Sequence, residues 1–146
     1  MALNTDAIGK EYAPVTYEVG REKIREYANA IGADNPAHQD RDAAEAAGFR
    51  NVVAPPMFCV VYSAPALGPA VLDPEVGINL VAMVHGGQEF VWGEPVCSGD
   101  VITTAAALAD VHEDAGRGFY IFESESVNQD GRQTVRGVWT NIVRGV

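Results

Sequence analysis

The sequence predicts an α+β fold in which an antiparallel sheet wraps around one buried helix. Residues 56–64 are apolar on almost every side, which is typical of a helix that is covered all round. From residue 78 onward the chain reads as β-type segments separated by hairpin turn signals, of which Asp130-Gly131 is the stronger. Because an apolar helix ahead of such a sheet must be covered, we expect it to pack against the concave face.

Length and charge restrict the class of protein. The 146 residues suit a single domain spanning 1–146, and no stretch approaches the roughly 20 apolar residues of a membrane span. The N-terminus lacks the basic start and apolar run of a signal peptide, so we expect a cytoplasmic protein. A net charge of −10 repels phosphate backbones and anionic lipid, which argues against nucleic acid and membrane as partners. Cys59 and Cys97 have no metal-ligand spacing and are expected to be buried free thiols.

The pattern of the first half of the chain predicts a short extended segment followed by two helices. Residues 12–19 alternate apolar and polar side chains, as a short strand does. Apolar residues recur at helical spacing from Arg21 to Ile31, and Gly32 is placed to end that helix in a left-handed cap. Asp40 is placed to cap a second helix over residues 41–47.

The second half predicts the central helix and the sheet. Prolines are tolerated in the first turn of the central helix, and we expect Pro65, Gly68 and Pro69 to end it. Residues 67–77 are expected to form a loop that contains at most one helical turn. His85-Gly86-Gly87 is expected to form a bulge within one bent strand. The strands are placed at about residues 78–84, 88–91, 101–112, 119–127 and 134–143.

The loop between the first two helices carries the candidate chemistry. Pro36 is expected to prevent a helix from starting at once and to keep Asn35 extended. Asp34 and His38 therefore share a stiff turn, where a carboxylate and an imidazole are suited to act as a general acid/base pair. Asp-Asn-Pro is also ordinary turn chemistry, so by itself this motif stays a hypothesis.

Three segments resemble a known family. Residues 27–38 resemble the Gly-Asp-x-Asn-Pro-aliphatic-His signature of MaoC-like (R)-specific enoyl hydratases and 3-hydroxyacyl dehydratases. Residues 43–58 resemble the entry into that family's central helix, and residues 84–100 resemble its strand–turn across the pocket. The likeness spans residues 5–145 and favours the N-terminal dehydratase subgroup, which includes substrate-holding subunits of two-subunit acyl-carrier-protein dehydratases. It implies a hot-dog fold and a reaction that needs no metal or organic cofactor.

The chain departs from the signature at two places. Ala33 stands where the family has its aspartate, and Asp34 occupies the variable position. Pro55-Pro56 replaces a His-Gly pair whose glycine N–H helps bind the thioester oxygen, which leaves the Met57 N–H as the nearest donor at the helix start.

The residues and the resemblance together define the expected site. Its members are the catalytic pair Asp34 and His38, loop-orienting Asn35, oxyanion-binding Pro56 and Met57, and the candidate pocket residues His85 and Gly86. A histidine at a strand kink is more often structural, which weakens the case for the last two.

The expected function is a 3-hydroxyacyl-thioester dehydratase or 2-enoyl-thioester hydratase of fatty acyl metabolism, acting on acyl-CoA or acyl-carrier-protein thioesters. A catalytically silent acyl-binding subunit of a heterodimeric dehydratase is the first alternative, and Ala33 and Pro56 favour it. An acyl thioesterase is the second, although residues 56–64 contain no carboxylate for it. Because one such sheet leaves an edge strand exposed, we expect a homodimer or a heterodimer with a second hot-dog chain.

Overall fold

The centre of the molecule is a five-stranded antiparallel sheet with strand order β1-β3-β4-β5-β2. The computed structural model describes residues 2–146. The strands are β1 (Val15–Glu18), β2 (Met83–Trp92), β3 (Val101–Asp114), β4 (Arg117–Val127) and β5 (Gln133–Arg144). The predicted α+β architecture, with the sheet wrapped around a central helical segment, is confirmed.

The central helical segment is longer and less regular than the sequence indicates. It consists of a 3-10 turn at Pro56–Phe58, α3 at Cys59–Ser63, a second 3-10 turn at Ala64–Leu67, and α4 at Gly68–Val71. Helix α3 ends at Ser63, ahead of Pro65 as predicted, and α4 is the one helical turn expected in the following loop, but the 3-10 turn between them keeps the path helical through Pro65 and Pro69. Each proline sits in the first turn of a new short helix, where its missing N–H leaves no bond unmade.

The helical segment is also not covered on all sides. Phe58, Cys59 and Tyr62 are buried against the sheet, whereas Met57 is 43% exposed and Val60 and Val61 are only half-buried. Uniform hydrophobicity therefore predicted the buried face correctly but not the exposed one.

The helices before this segment follow the prediction closely. Helix α1 spans Arg21–Ile31, and Gly32 ends it with φ 69°. Helix α2 spans Arg41–Ala46, and the Asp40 carboxylate accepts the Ala43 N–H. Asn35 is extended, as expected, and Pro36 begins only a 3-10 turn at Pro36–His38, so that the second α-helix starts at Arg41.

Strand β2 lies at one edge of the sheet and contains the predicted bulge. Its register against β5 shifts between His85 and Gly87. The expected start of this strand at residue 78 is wrong. β2 begins at Met83, because residues 79–82 form a turn in which the Asn79 carbonyl accepts the Ala82 N–H and Asn79 Oδ1 accepts the Val81 N–H. Val84, Val91 and Trp92 are exposed along it. None of the helices within residues 2–146 has the length and apolar character needed to cross a membrane.

Candidate functional site

A cavity of about 600 Å³ opens beside the start of the central helical segment. Its walls come from the loop before α2, residues 49–62, the end of β2 with the turn after it, and the start of β5. The lining changes from exposed side chains at the mouth to buried ones at the inner end. Asn35, Pro56, Trp92 and Glu94 lie at the mouth, and Phe58, Cys59, Tyr62 and Thr134 lie at the inner end. This size and apolar character suit an organic ligand.

His38 lines the cavity, and a hydrogen bond to the backbone of the cavity wall fixes its ring. Its Nδ1 lies 2.7 Å from the backbone carbonyl of Val53. A carbonyl oxygen only accepts, so Nδ1 carries the proton and, in the neutral ring, Nε2 carries the lone pair. The Val53 N–H in turn donates to the carbonyl of Ala37 at 3.0 Å, so two hydrogen bonds join the loop to the cavity wall.

Asn35 and Asp34 have different positions in that loop. Asn35 lines the cavity, and its Oδ1 accepts the Ala37 N–H at 3.0 Å, which orders the turn before His38. Asp34 is exposed and does not line the cavity. Ala33, in the family's aspartate position, is half-buried and has no group that transfers a proton. The structure thus brings His38 and Asn35 to the cavity without Asp34.

Of the two expected oxyanion-binding residues, one lines the cavity and the other does not. Pro56 lines the mouth, and its carbonyl accepts a hydrogen bond from Trp92 Nε1 at 2.9 Å. The Met57 side chain is exposed and does not line the cavity. Its N–H belongs to the first turn of the segment, where backbone donors lack intrahelical acceptors, and its oxyanion role stays a prediction.

His85 and Gly86 lie on β2 outside this cavity. The His85 ring packs edge-on against Trp139 with centroids 6.3 Å apart. A Cβ at Gly86 would collide with the Ile142 side chain. This steric restriction explains the glycine at the bulge, and no ligand-binding role is needed to account for it.

The inner end of the cavity carries no charge near neutral pH. Burial raises the pKa of the Cys59 thiol to about 11, despite the opposing effect of the Trp92 N–H. Burial also raises the pKa of Tyr62, despite the opposing effect of the Thr134 hydroxyl. Cys59 is therefore a neutral thiol and not an activated nucleophile. Among residues 2–146, no cluster of three or more His, Cys, Asp or Glu side chains is arranged to hold a metal ion.

An ion pair between exposed Arg50 and buried Asp100 supports the wall next to Phe49. Arg50 Nη1 and Nη2 donate to the two carboxylate oxygens of Asp100 at 2.9 Å each. Burial by itself raises the pKa of Asp100. Hydrogen bonds from Arg50, the Cys97 N–H and Gln129 outweigh that effect and hold the pKa below its usual range. The pair fixes the loop after α2 to the turn before β3.

Four lining residues have no individually predicted role, namely Trp92, Glu94, Tyr62 and Thr134, although the family resemblance places residues 84–100 across the pocket. The signal available was the glycine-flanked break after β2, since residues 93–95 turn across the mouth of the cavity. Chemically, the cavity offers the His38 imidazole with a fixed tautomer and an apolar interior. At its mouth lies the Glu94 carboxylate, which forms an ion pair with Arg132.

Comparison with known proteins agrees with this architecture. A family model described as FAS1-like, dehydratase domain region, matches residues 6–136. The chain is 39% identical to a UPF0336 protein of Thermobifida fusca, covering 99% of this chain and 96% of that protein. It is 40% identical to a UPF0336 protein of Saccharopolyspora erythraea, covering 99% and 94%.

Solved structures of dehydratases have the same fold as this chain. The C-terminally truncated HadBC complex of Mycobacterium tuberculosis, a 3R-hydroxyacyl-ACP dehydratase, superposes with a TM-score of 0.82 at 28% identity, covering 96% of this chain and 99% of that one. A MaoC-like dehydratase superposes with a TM-score of 0.86 at 25% identity, covering 96% and 43%. The chain therefore belongs to the FAS1-like dehydratase domain family and is a MaoC-like hot-dog protein.

Proposed function

We propose that this chain is the acyl-binding subunit of a two-subunit 3-hydroxyacyl-thioester dehydratase or 2-enoyl-thioester hydratase. One observation carries the proposal: the cavity contains His38, but the carboxylate expected to share its proton transfers lies outside, at exposed Asp34, and the carboxylate at the mouth, Glu94, is paired with Arg132. Moving a proton at C2 and a hydroxyl at C3 requires two positioned groups, and such groups must hold their positions within about 0.5 Å. An apolar cavity needs no such pair to bind an acyl chain.

The helix start supports the same function. The oxyanion formed from a thioester needs fixed N–H donors, and losing one typically costs about 2.7–4 kcal/mol of transition-state stabilisation. Pro55 and Pro56 have no N–H to offer at the mouth. A second hot-dog chain with a complete Gly-Asp-x-Asn-Pro-x-His loop would supply the carboxylate, and a His-Gly pair at the start of its central helix would supply the donor.

The open edge of the sheet is the proposed site for that second chain. Strand β2 exposes Val84, Val91 and Trp92, and an unpaired strand edge pairs readily with another strand. The HadBC structure is described as a complex, and this chain covers 99% of the matched subunit. Light scattering over a concentration series should show a dimer, alone or with the second chain. A species of 15.5 kDa under both conditions would contradict this assembly.

Reconstitution tests the catalytic assignment. The chain alone should bind an acyl thioester but should not dehydrate an (R)-3-hydroxyacyl thioester. Adding a hot-dog chain from the same genome that carries the complete signature should give turnover. In that complex, His38→Ala should keep turnover within about tenfold, whereas alanine at the partner's signature histidine should lower it by roughly 10²–10⁴-fold. Loss of turnover only with His38→Ala would overturn the assignment.

Catalysis by this chain itself is the second candidate, and the fixed tautomer of His38 favours it. The Nδ1–H to Val53 leaves Nε2 free to accept a proton from a ligand. In that case the chain alone is active, and His38→Ala and Asp34→Asn each lose roughly 10²–10⁴-fold in turnover. If it is inactive alone, Ala33→Asp is the variant expected to gain activity. For either candidate we propose the cytoplasm as the compartment, which suits two buried free thiols.

A further inference from the structure

Two apolar clusters fill the space between the sheet and the central helical segment, and a row of hydroxyl groups separates them. The cluster beside the cavity includes Phe58, Tyr62, Ile102 and Val135, and the second includes Leu108, Phe122 and Trp139. Between them lie the buried hydroxyl residues Ser63, Thr104, Ser124 and Ser126, and we call these, together with Tyr62 and Thr134 on the cavity side, the hydroxyl belt.

The sequence order of the inward-facing residues places the belt at this boundary. On β3, Thr104 lies between Ile102 of the first cluster and Ala106 of the second. On the helical segment, Ser63 likewise lies between Tyr62 of the first cluster and Ala66 of the second. The belt therefore crosses the core from the helix to the sheet.

Hydrogen bonds hold the belt together. Thr104 Oγ1 and Ser126 Oγ are 2.7 Å apart, and Thr134 Oγ1 donates to the Ser126 carbonyl at 3.3 Å. Trp139 Nε1 donates to Ser124 Oγ at 2.8 Å. Among the fully buried side-chain polar atoms of residues 2–146, only Gln88 Oε1 lacks a hydrogen-bond partner. The belt thus has no fully buried atom left free to bind the polar tip of a ligand.

Tyr62 is the member of the belt that faces the ligand. It lines the inner end of the cavity together with Thr134, and its backbone carbonyl lies 3.5 Å from Thr104 Oγ1 in the belt behind it. Its ring packs against Phe58 with centroids 6.2 Å apart, so it has little freedom to move aside. An alkyl chain that advanced past Tyr62 would have to separate hydrogen-bonded groups without replacing their bonds.

We propose that Tyr62 sets the length of the acyl chain that this cavity accepts, a specificity role that rests on the acyl-binding function proposed above. The terminal methyl group of a bound chain stops at the Tyr62 ring. Each methylene buried before that point improves affinity about fourfold, which corresponds to ~0.8 kcal/mol per buried methylene. Beyond it, added methylenes remain in water at the mouth and improve nothing.

A chain-length series tests the proposal. The probes are saturated acyl-pantetheine thioesters from butanoyl to hexadecanoyl, titrated calorimetrically into the full chain and into its complex with the second hot-dog chain. For the wild type, affinity should rise with each methylene and then level off. For Tyr62→Ala the rise should continue to longer chains, because the removed ring leaves room up to Thr104 and Ser126. Tyr62→Trp should level off at a shorter chain.

Two controls separate this role from general effects on packing. Tyr27→Ala removes an equal ring from the other side of Phe58, at 5.5 Å between centroids, and Tyr27 does not line the cavity, so its cut-off should match the wild type. Tyr62→Phe keeps the ring and should also keep the cut-off. If thermal melts show that Tyr62→Ala does not fold, Tyr62→Leu replaces it with the same expected shift to longer chains.

The outcomes distinguish this inference from the proposed function. An unchanged cut-off in folded Tyr62→Ala, or in Tyr62→Leu, overturns the role of Tyr62 and leaves acyl binding intact. Failure of the wild type to bind any thioester in the series, alone or in the complex, overturns the acyl-binding function itself.

Discussion

Replacing Arg50 with methionine removes the cation that neutralises a buried carboxylate beside the cavity. The Asp100 side chain is 0% exposed and that of Arg50 is 58% exposed, so the carboxylate depends on its partners for solvation. After the change, Asp100 keeps two donors, the Cys97 N–H at 2.9 Å and Gln129 Nε2 at 3.0 Å. Methionine retains an unbranched apolar stem, so the loss is mainly that of the bidentate ion pair.

The structure sets the size of the effect between two limits. Removing one partner of a fully buried ion pair costs about 3–5 kcal/mol, whereas an exposed pair contributes about 0–1 kcal/mol. Half of this pair is in water, and two of the hydrogen bonds to Asp100 survive. We therefore expect Arg50→Met to lower the free energy of unfolding by about 2 kcal/mol, or to lower Tm by roughly 4–8 °C for a chain of this size.

Urea denaturation followed by circular dichroism measures the change. The matched control is Arg41→Met, which breaks an exposed pair with Glu45 at 2.8 Å and should change stability by less than about 0.5 kcal/mol. Because Arg50 and the other donors hold the Asp100 pKa low, their contribution is complete above about pH 4 and is lost as pH falls through the folded-state pKa. Equal effects of the two methionine variants at pH 7 would refute this reasoning.

Two further changes test the core and the N-terminal contacts. Phe58→Ala, at a fully buried ring that packs against Tyr62, should lower the free energy of unfolding by about 3–5 kcal/mol; a loss below about 1 kcal/mol in urea titrations would show that the site relaxes. Hydrogen bonds from Lys10 and Tyr12 lower the Asp73 pKa to about 2, so their stabilisation is present above about pH 4 and is lost as pH falls towards 2. Asp73→Asn should remove that part of the acid dependence, which urea midpoints between these pH values would detect; an unchanged acid profile would contradict it.

Much of the fold could be predicted because local signals and the tertiary structure agree. Helical spacing and Gly32 fixed both ends of α1, and Asp130-Gly131 marked the turn between β4 and β5. The central helical segment was harder to predict. Proline stops a continuing α-helix but also starts a new one, and only packing against the sheet decides which occurs at Pro65 and Pro69.

The site was less predictable than the fold because spacing along a loop does not determine direction. Asp34 and His38 are four residues apart, but the Pro36–His38 turn brings only His38 to the cavity. The residues at the inner end of the cavity could not be predicted for a different reason. Tyr62 and Thr134 are 72 positions apart and meet only when the helical segment packs on β5, so no local pattern marks them.

The presence of His38 does not by itself require a catalytic role in this chain. Its Nδ1–H bonds the Val53 carbonyl, and the same wall segment bonds Ala37, so the imidazole contributes to holding the loop against the cavity. Loss of one such hydrogen bond at a partly buried site costs about 0.5–1.5 kcal/mol, which is reason enough for a histidine there. Ala33 has no group that transfers a proton, and it occupies a half-buried site. A histidine that holds the loop in place is therefore compatible with the proposed subunit, which shapes the cavity and leaves proton transfer to its partner.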